Sequence, residues 1–436
     1  MKRSIRLLSC GLGTLKRPRQ RRKPFTGIRT LVSAADVQFG QPLHETHPHI
    51  IGPGELTPGI SALEYHHRRA RLAQALPKDS IAVVAASDIK YRSGAVFYEF
   101  HQDPNFLYLT GFNEPEALAV IEKGGSDVEY KFHLCVRPKE AKAEIWDGAR
   151  SGIQAAQDVF NADEARDIGQ VHTTLRDIVL SAKEVYTDIP SNAQPRSAFG
   201  KYLLGSLTSK TEGFQRILEA SKVKPLRPLM NEIRVYKSEA EIRNMRRAGR
   251  SSGRVFTEAM RNPFQTEKEL WASLDYGFRM QGLDGPAYVP VVAGGKNGLS
   301  IHYVRNDDVL RDGELVLVDA GGEYGGYITD ITRTWPVNGK FTDPQKDLYD
   351  MVLKVQRSCV SLCREDADMT LDRLHRIAES SLKDGLQGLG FDMSGDAMNM
   401  LFPHHVGHFI GLDVHDAPGY PRTDRLRAGQ CITIEP

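Results

Sequence analysis

Apolar positions in this chain repeat with different periods in different stretches, and the changes of period divide it into elements. Residues 62–76 carry apolar side chains at helical spacing, with arginines at positions expected to face water. Three strand-like runs follow, over residues 81–86, 117–122 and 130–136. In the last, Tyr130, Phe132, Leu134 and Val136 alternate with Lys131, His133 and Cys135, the pattern of a half-buried strand. Helical patterns return over 152–160 and 169–182, and another strand over 184–189. Alternating strands and helices predict a three-layer α/β domain over residues 61–225. Ahead of it, residues 36–60 hold prolines, glycines and histidines without a period and read as a linker.

Lys224-Pro225 and Arg227-Pro228 break the pattern, so residues 226–436 are expected to form a second domain. Ser238-Glu239-Ala240-Glu241 is a capping box opening a long helix that ends near Arg261. A further helix is predicted over 343–365, with Leu348, Met351, Val352 and Val355 as core positions. Between the two, residues 315–320 read as a buried strand, 321–326 as a turn and 327–335 as a returning strand. A hairpin turning about Tyr324 and Gly325 would set Asp319 opposite Asp330, eleven residues on. Like charges facing each other across a strand pair repel, and desolvating them costs more. The pairing is sensible if a divalent cation lies between them. Two solvated acids beside a glycine-rich loop are the alternative.

Downstream, His404, His405, His408 and His415 fall within twelve positions, laced with glycine and apolar residues. The run Ile432-Thr433-Ile434-Glu435-Pro436 is strand-like and carries a carboxylate. Two aspartates, a histidine and a glutamate make a hard, oxygen-rich donor set. Such a set suits Mn²⁺ or a comparable divalent ion better than a thiolate-type structural zinc.

Together these residues resemble the aminopeptidase P group of the pita-bread metallopeptidases, and most of all its intermediate-cleaving, Xaa-Pro aminopeptidase 3 branch. The likeness extends to Asn297-Gly298-Leu299-Ser300-Ile301-His302-Tyr303, to the run from Phe100 to Phe112, and to Glu144-Ile145-Trp146-Asp147-Gly148-Ala149-Arg150, so it covers about residues 60 to 436. It implies an α/β N-terminal domain plus an α+β pita-bread catalytic domain. It also implies two divalent metal ions, Mn²⁺ foremost. Asp319 would bind one, Asp330 would bridge both, and His408 and Glu435 would complete the other. Glu435 would also serve as general base. His302 and His415 would surround the developing oxyanion and departing amine, and His404 would hold substrate beyond the scissile bond. His405 is read as a packing or surface histidine. The implied reaction is removal of one N-terminal residue by a metal-bound hydroxide, commonly ahead of proline, or from imported precursors in the intermediate-cleaving branch.

The family carries a second bridging glutamate on a later strand, whereas this chain stops at Pro436. The expectation is an incomplete sequence whose catalytic domain lacks its last strands. The competing expectation is a truncated relative that has become a non-catalytic interaction protein. A prolidase is a further reading, distinguished by release of free proline from dipeptides.

Charge adds a compartment. Residues 1–35 hold ten Lys or Arg and no acid, so that a net +2 for the whole chain leaves −8 for the rest. This basic leader reads as a mitochondrial transit peptide, directing the protein to the matrix side. A nuclear-localisation or nucleic-acid-binding arm and a disordered basic tail are the alternatives. Five cysteines (Cys10, Cys135, Cys359, Cys363 and Cys431) lack zinc-type pairing and fit a reducing setting. No apolar run reaches the eighteen residues of a membrane span. The expected partners are peptide or precursor-protein N-termini, with no nucleic acid; a homo-oligomer is possible.

Overall fold

A computed structural model describes residues 38–125, 129–189 and 214–436. The basic leader lies outside the described residues. The N-terminal half is built on a six-stranded mixed sheet, in the spatial order Val223–Lys224, Glu184–Thr187, Ser80–Ala85, Leu118–Lys123, Tyr130–Val136, Glu164–Asp167. Its three central strands pair antiparallel and the outer ones parallel. Alternate side chains of Ser80–Ala85 feed two cores. Ala82 and Val84 pack with the helix Ala62–Ala75, whereas Ile81 and Val83 pack with Val171, Leu175, Val179 and Phe214. The three-layer expectation is therefore met.

Covering both faces overturns one reading of the sequence. His133 and Cys135, expected on a wet face of Tyr130–Val136, are buried. His133 is satisfied there by Glu122 at 3.0 Å and Arg166 at 2.9 Å. The arginines of the first helix also differ from expectation. Arg68 and Arg69 are each 1% exposed. Arg68 lies over the rings of Tyr65 and Tyr108 and reaches Tyr327 Oη at 3.1 Å, so two domains meet on its guanidinium. Nor is 38–60 a linker. Leu43, Ile51, Leu56 and Ile60 are buried, and the Gln41 side chain donates to the carbonyls of Leu56 and Gly111. An irregular segment that anchors one side chain at a time leaves no period to read.

In the second half, helix Glu239–Arg261 begins at the expected capping box. It packs with Glu267–Met280 over the antiparallel sheet Val291–Gly294, Leu315–Ala320, Ile331–Pro336. A second core gathers helices Asp343–Ser361 and Leu371–Gly388 with the histidine segment, and buries Val355 and Cys359. Two helix-backed halves face one another, in the pita-bread arrangement. We propose the division between the two domains at residues 225 and 226.

Candidate metal centre

The hairpin that carries the paired aspartates is real, but its register differs from expectation by two residues. Gly325 and Gly326 form the turn, both with positive φ (59° and 84°), so Tyr324 pairs with Tyr327. A two-residue turn needing positive φ at both positions selects Gly-Gly. Asp319 consequently pairs with Thr332, and Asp330 falls in the break between the strands Tyr327–Ile328 and Ile331–Pro336. A shift of two keeps both carboxylates on one face, as diagonal neighbours. Tyr288 Oη spans them, 2.5 Å from Asp319 Oδ1 and 3.1 Å from Asp330 Oδ1.

The other half supplies His408 and Glu435 through a strand-like pairing. Ile410 N–H donates to Cys431 O at 3.1 Å, Thr433 N–H to His408 O at 2.9 Å, and Glu435 N–H to Val406 O at 2.7 Å. The expected strand at 432–435 is thus reduced to an irregular ladder. The two halves use the same local device. Gly322 N–H and His408 N–H each donate to a threonine Oγ1, that of Thr329 at 3.0 Å and of Thr433 at 3.1 Å. The preceding residues, Gly321 and Gly407, lie where a Cβ would collide with the carbonyl oxygen of that same threonine. A pseudo-symmetry invisible as a sequence repeat is present as a backbone contact.

His408 Nε2 stands 3.3 Å from Asp330 Oδ2 and 3.2 Å from Glu435 Oε1. Ligand atoms of these three residues lie within 4.8 Å of one another. Burial and the charge of Asp330 push the Asp319 carboxyl up to about 7. Burial would lower the His408 imidazole, but the two carboxylates against it push it up to about 10. Without a metal, the crowding thus favours the protonated forms of the His408 imidazole and the Asp319 carboxyl over their ordinary balance. Glu435 Oε1 is buried, with the His408 imidazole as its ion-pair partner. Crowded, partly buried carboxylates and an imidazole whose ligand atoms converge fit a divalent cation, which would replace those protons as the compensating charge.

The remaining candidates surround this cluster unevenly. The His415 ring meets His408 edge-on at 4.5 Å, and burial and the charge of His408 lower its imidazole. His302 is exposed, close enough for its charge to act on His415. His404 is exposed, with its ring 5.1 Å from Phe402, and its charge acts on Glu435. His405 turns away to stack on His375 at 4.6 Å, with its Nε2 3.3 Å from Asp372 Oδ1. Sequence reasoning missed Tyr288. Nothing in Pro286-Ala287-Tyr288-Val289-Pro290 signals a role; the antiparallel pairing of Gly285–Pro286 with Gly322–Tyr324, extended by the bond from Ala287 N–H to Gly321 O (2.8 Å), brings that loop over the hairpin.

Comparison with known proteins gives the family of both halves. Residues 243–436 match metallopeptidase family M24, and residues 65–186 match the aminopeptidase P N-terminal domain. The chain is similar to intermediate cleaving peptidase 55 of Saccharomyces cerevisiae, with 46% identity over 92% of this chain and 79% of that protein. It is 38% identical to Xaa-Pro aminopeptidase 3 of Homo sapiens, over 91% of this chain and 80% of the relative. The crystal structure of the yeast Icp55 lacking its N-terminal 58 residues superposes with a TM-score of 0.79 at 43% identity, covering 87% of this chain and 86% of that one.

Proposed function

Given that the chain belongs to metallopeptidase family M24 and is an aminopeptidase, we propose that it removes a single N-terminal residue from imported mitochondrial precursors, and from Xaa-Pro peptides as small substrates of the same site. The observation that carries this reading is the convergence of Asp330, His408 and Glu435 from two halves of the domain, with Asp319 beside them. Asp319, Asp330, His408 and Glu435 would hold two divalent ions, with Mn²⁺ favoured by the oxygen-rich set. Such ions make water a nucleophile at neutral pH and polarise the scissile carbonyl.

This chain's own groups do the rest. Glu435 accepts and relays a proton. His415 and His302 donate toward the developing oxyanion and the departing amine. His404, at the rim, holds the chain beyond the scissile bond. Tyr288 orients both aspartates by hydrogen bonding. Proline's fixed φ and tertiary amide make its preceding bond awkward for general peptidases, which gives a one-residue trimmer of this shape a substrate niche. Mitochondrial action is supported by the basic leader, and by likeness to a protein named for cleaving intermediates.

The test is mass spectrometry of products from the Mn²⁺-loaded protein, offered a precursor-like peptide, an Xaa-Pro tripeptide and an Xaa-Pro dipeptide. Loss of one N-terminal residue from the first two supports the reading. Cleavage of the dipeptide alone, releasing free proline, would replace it by prolidase.

A further inference from the structure

Beneath the histidine segment lies a charge cluster that the metal centre does not use. Arg234, at the end of helix Arg227–Arg234, and the nearby Lys237 have side chains only 5% and 1% exposed. Arg234 donates to Asn105 Oδ1 at 2.6 Å, to Asp413 Oδ2 at 2.8 Å and to Asp416 Oδ1. Lys237 Nζ donates to the other oxygen of Asp416 at 2.8 Å and to Val235 O at 3.4 Å. Burial would raise the Asp416 carboxyl, but the two cations outweigh it and hold that group below its ordinary value.

These residues come from three places. Asn105 belongs to the helix Pro104–Thr110 of the α/β domain, Arg234 and Lys237 to the connecting segment, and Asp413 and Asp416 flank His415. The segment's backbone rests on the cluster, for a Cβ at Gly411 would lie 2.6 Å from Asp416 Oδ2 and 2.9 Å from Lys237 Cε. Gly411 O accepts from Ile328 N–H at 3.0 Å in the opposite hairpin, and Asp416 N–H closes onto Phe409 O at 2.9 Å. A buried ion cluster adds little net stability over an apolar replacement, but breaking one partner leaves a charge uncompensated. Its geometry is specific, and here that geometry carries the backbone on either side of a site histidine.

We propose that Arg234 is a positioning residue: through Asp413 and Asp416 it fixes His415 against His408, and through Asn105 it makes that placement depend on the docked α/β domain. The proposal rests on the histidine segment belonging to the peptidase site.

The experiment compares Arg234→Met, Arg234→Lys, Asn105→Ala and the distant core variant Val179→Ala in the full chain. It measures kcat and KM on a fluorogenic Xaa-Pro peptide, melting temperature, and hydrogen exchange of the peptide spanning residues 408–418. Arg234→Met is expected to lower kcat at least tenfold with KM within twofold, and to speed exchange in 408–418. Arg234→Lys should recover most of the loss, and Asn105→Ala should lower kcat several-fold. The proposal is overturned if kcat stays within twofold, or if Val179→Ala at equal loss of melting temperature loses kcat equally. If Arg234→Met does not fold, the partly exposed Asn105→Ala carries the same comparison. If the wild type cleaves no peptide, the peptidase reading fails, and exchange alone decides: faster exchange in 408–418 supports positioning, unchanged exchange refutes it.

Discussion

Substituting alanine for Gly407 asks whether the candidate metal centre is held together by one close backbone approach. The added Cβ would stand 2.0 Å from Thr433 O and 2.8 Å from its carbonyl carbon, where real Cβ atoms do not come within 3.0 Å. The segments at 406–410 and 431–435 must therefore part by about 1 Å or more. Three bonds span that gap: Thr433 N–H to His408 O (2.9 Å), Glu435 N–H to Val406 O (2.7 Å) and His408 N–H to Thr433 Oγ1 (3.1 Å). Losing two of them costs about 2–4 kcal/mol, counting the buried groups left unpaired. The larger effect is on the ligands. His408 and Glu435 would separate by about 1 Å, whereas ligand distances tolerate about 0.2 Å. The assay is denaturant unfolding with and without Mn²⁺. At a hundredfold excess over Kd, the ion should stabilise the wild type by about 2.7 kcal/mol and Gly407→Ala by almost nothing. Gly253→Ala is the control, because nothing lies within 4 Å of the added Cβ and the site is inside helix Glu239–Arg261. It should gain about 0.5–1 kcal/mol. Wild-type metal affinity and stability in Gly407→Ala would refute the account.

Three further outcomes follow from the same geometry. Asp319, raised from 3.8 to about 7 by burial and by Asp330, binds a proton in the metal-free fold that the unfolded chain releases earlier. The stability this contributes is complete below about pH 4 and lost as pH rises through about 7. The difference in melting temperature between wild type and Asp319→Asn, followed from pH 5 to 8 without metal, should therefore shift against the wild type, and a flat difference would contradict it. Tyr288→Phe removes the hydroxyl between the aspartates and should weaken Mn²⁺ binding about 10–100-fold by calorimetry, with the fold intact by circular dichroism. Arg68→Ala should destabilise by about 3–5 kcal/mol in urea, because Glu241 and Tyr327 Oη lose a buried partner, while Arg68→Met should cost less.

The hairpin shows how far local pattern carries. Glycine and alternating apolar residues announced two strands and a turn, yet four glycines between 321 and 326 left the turn position free. Gly325-Gly326 won because both positions need positive φ and because Gly321 must clear Thr329 O, a contact eight residues away in the fold of the hairpin itself. The long helix fared better: its capping box lies within four consecutive residues, and both ends fell where the sequence placed them. Arginine misled in the opposite direction. Its preference for water is a default, and two aromatic rings with a tyrosine hydroxyl from the other domain overrode it at Arg68.

By itself the sequence determined the family, and it named the candidate donors of the metal centre and their order, since these depend on side-chain chemistry and short spacing. Tertiary structure decided which of those donors meet. Asp330, His408 and Glu435 are separated by up to 105 positions, and nothing local can set the distance between them. Nor could spacing reveal Tyr288, Arg234 or Asn105, whose contacts exist only where segments remote in the chain share a buried, low-dielectric space. In that space a single hydroxyl or guanidinium has nowhere else to point.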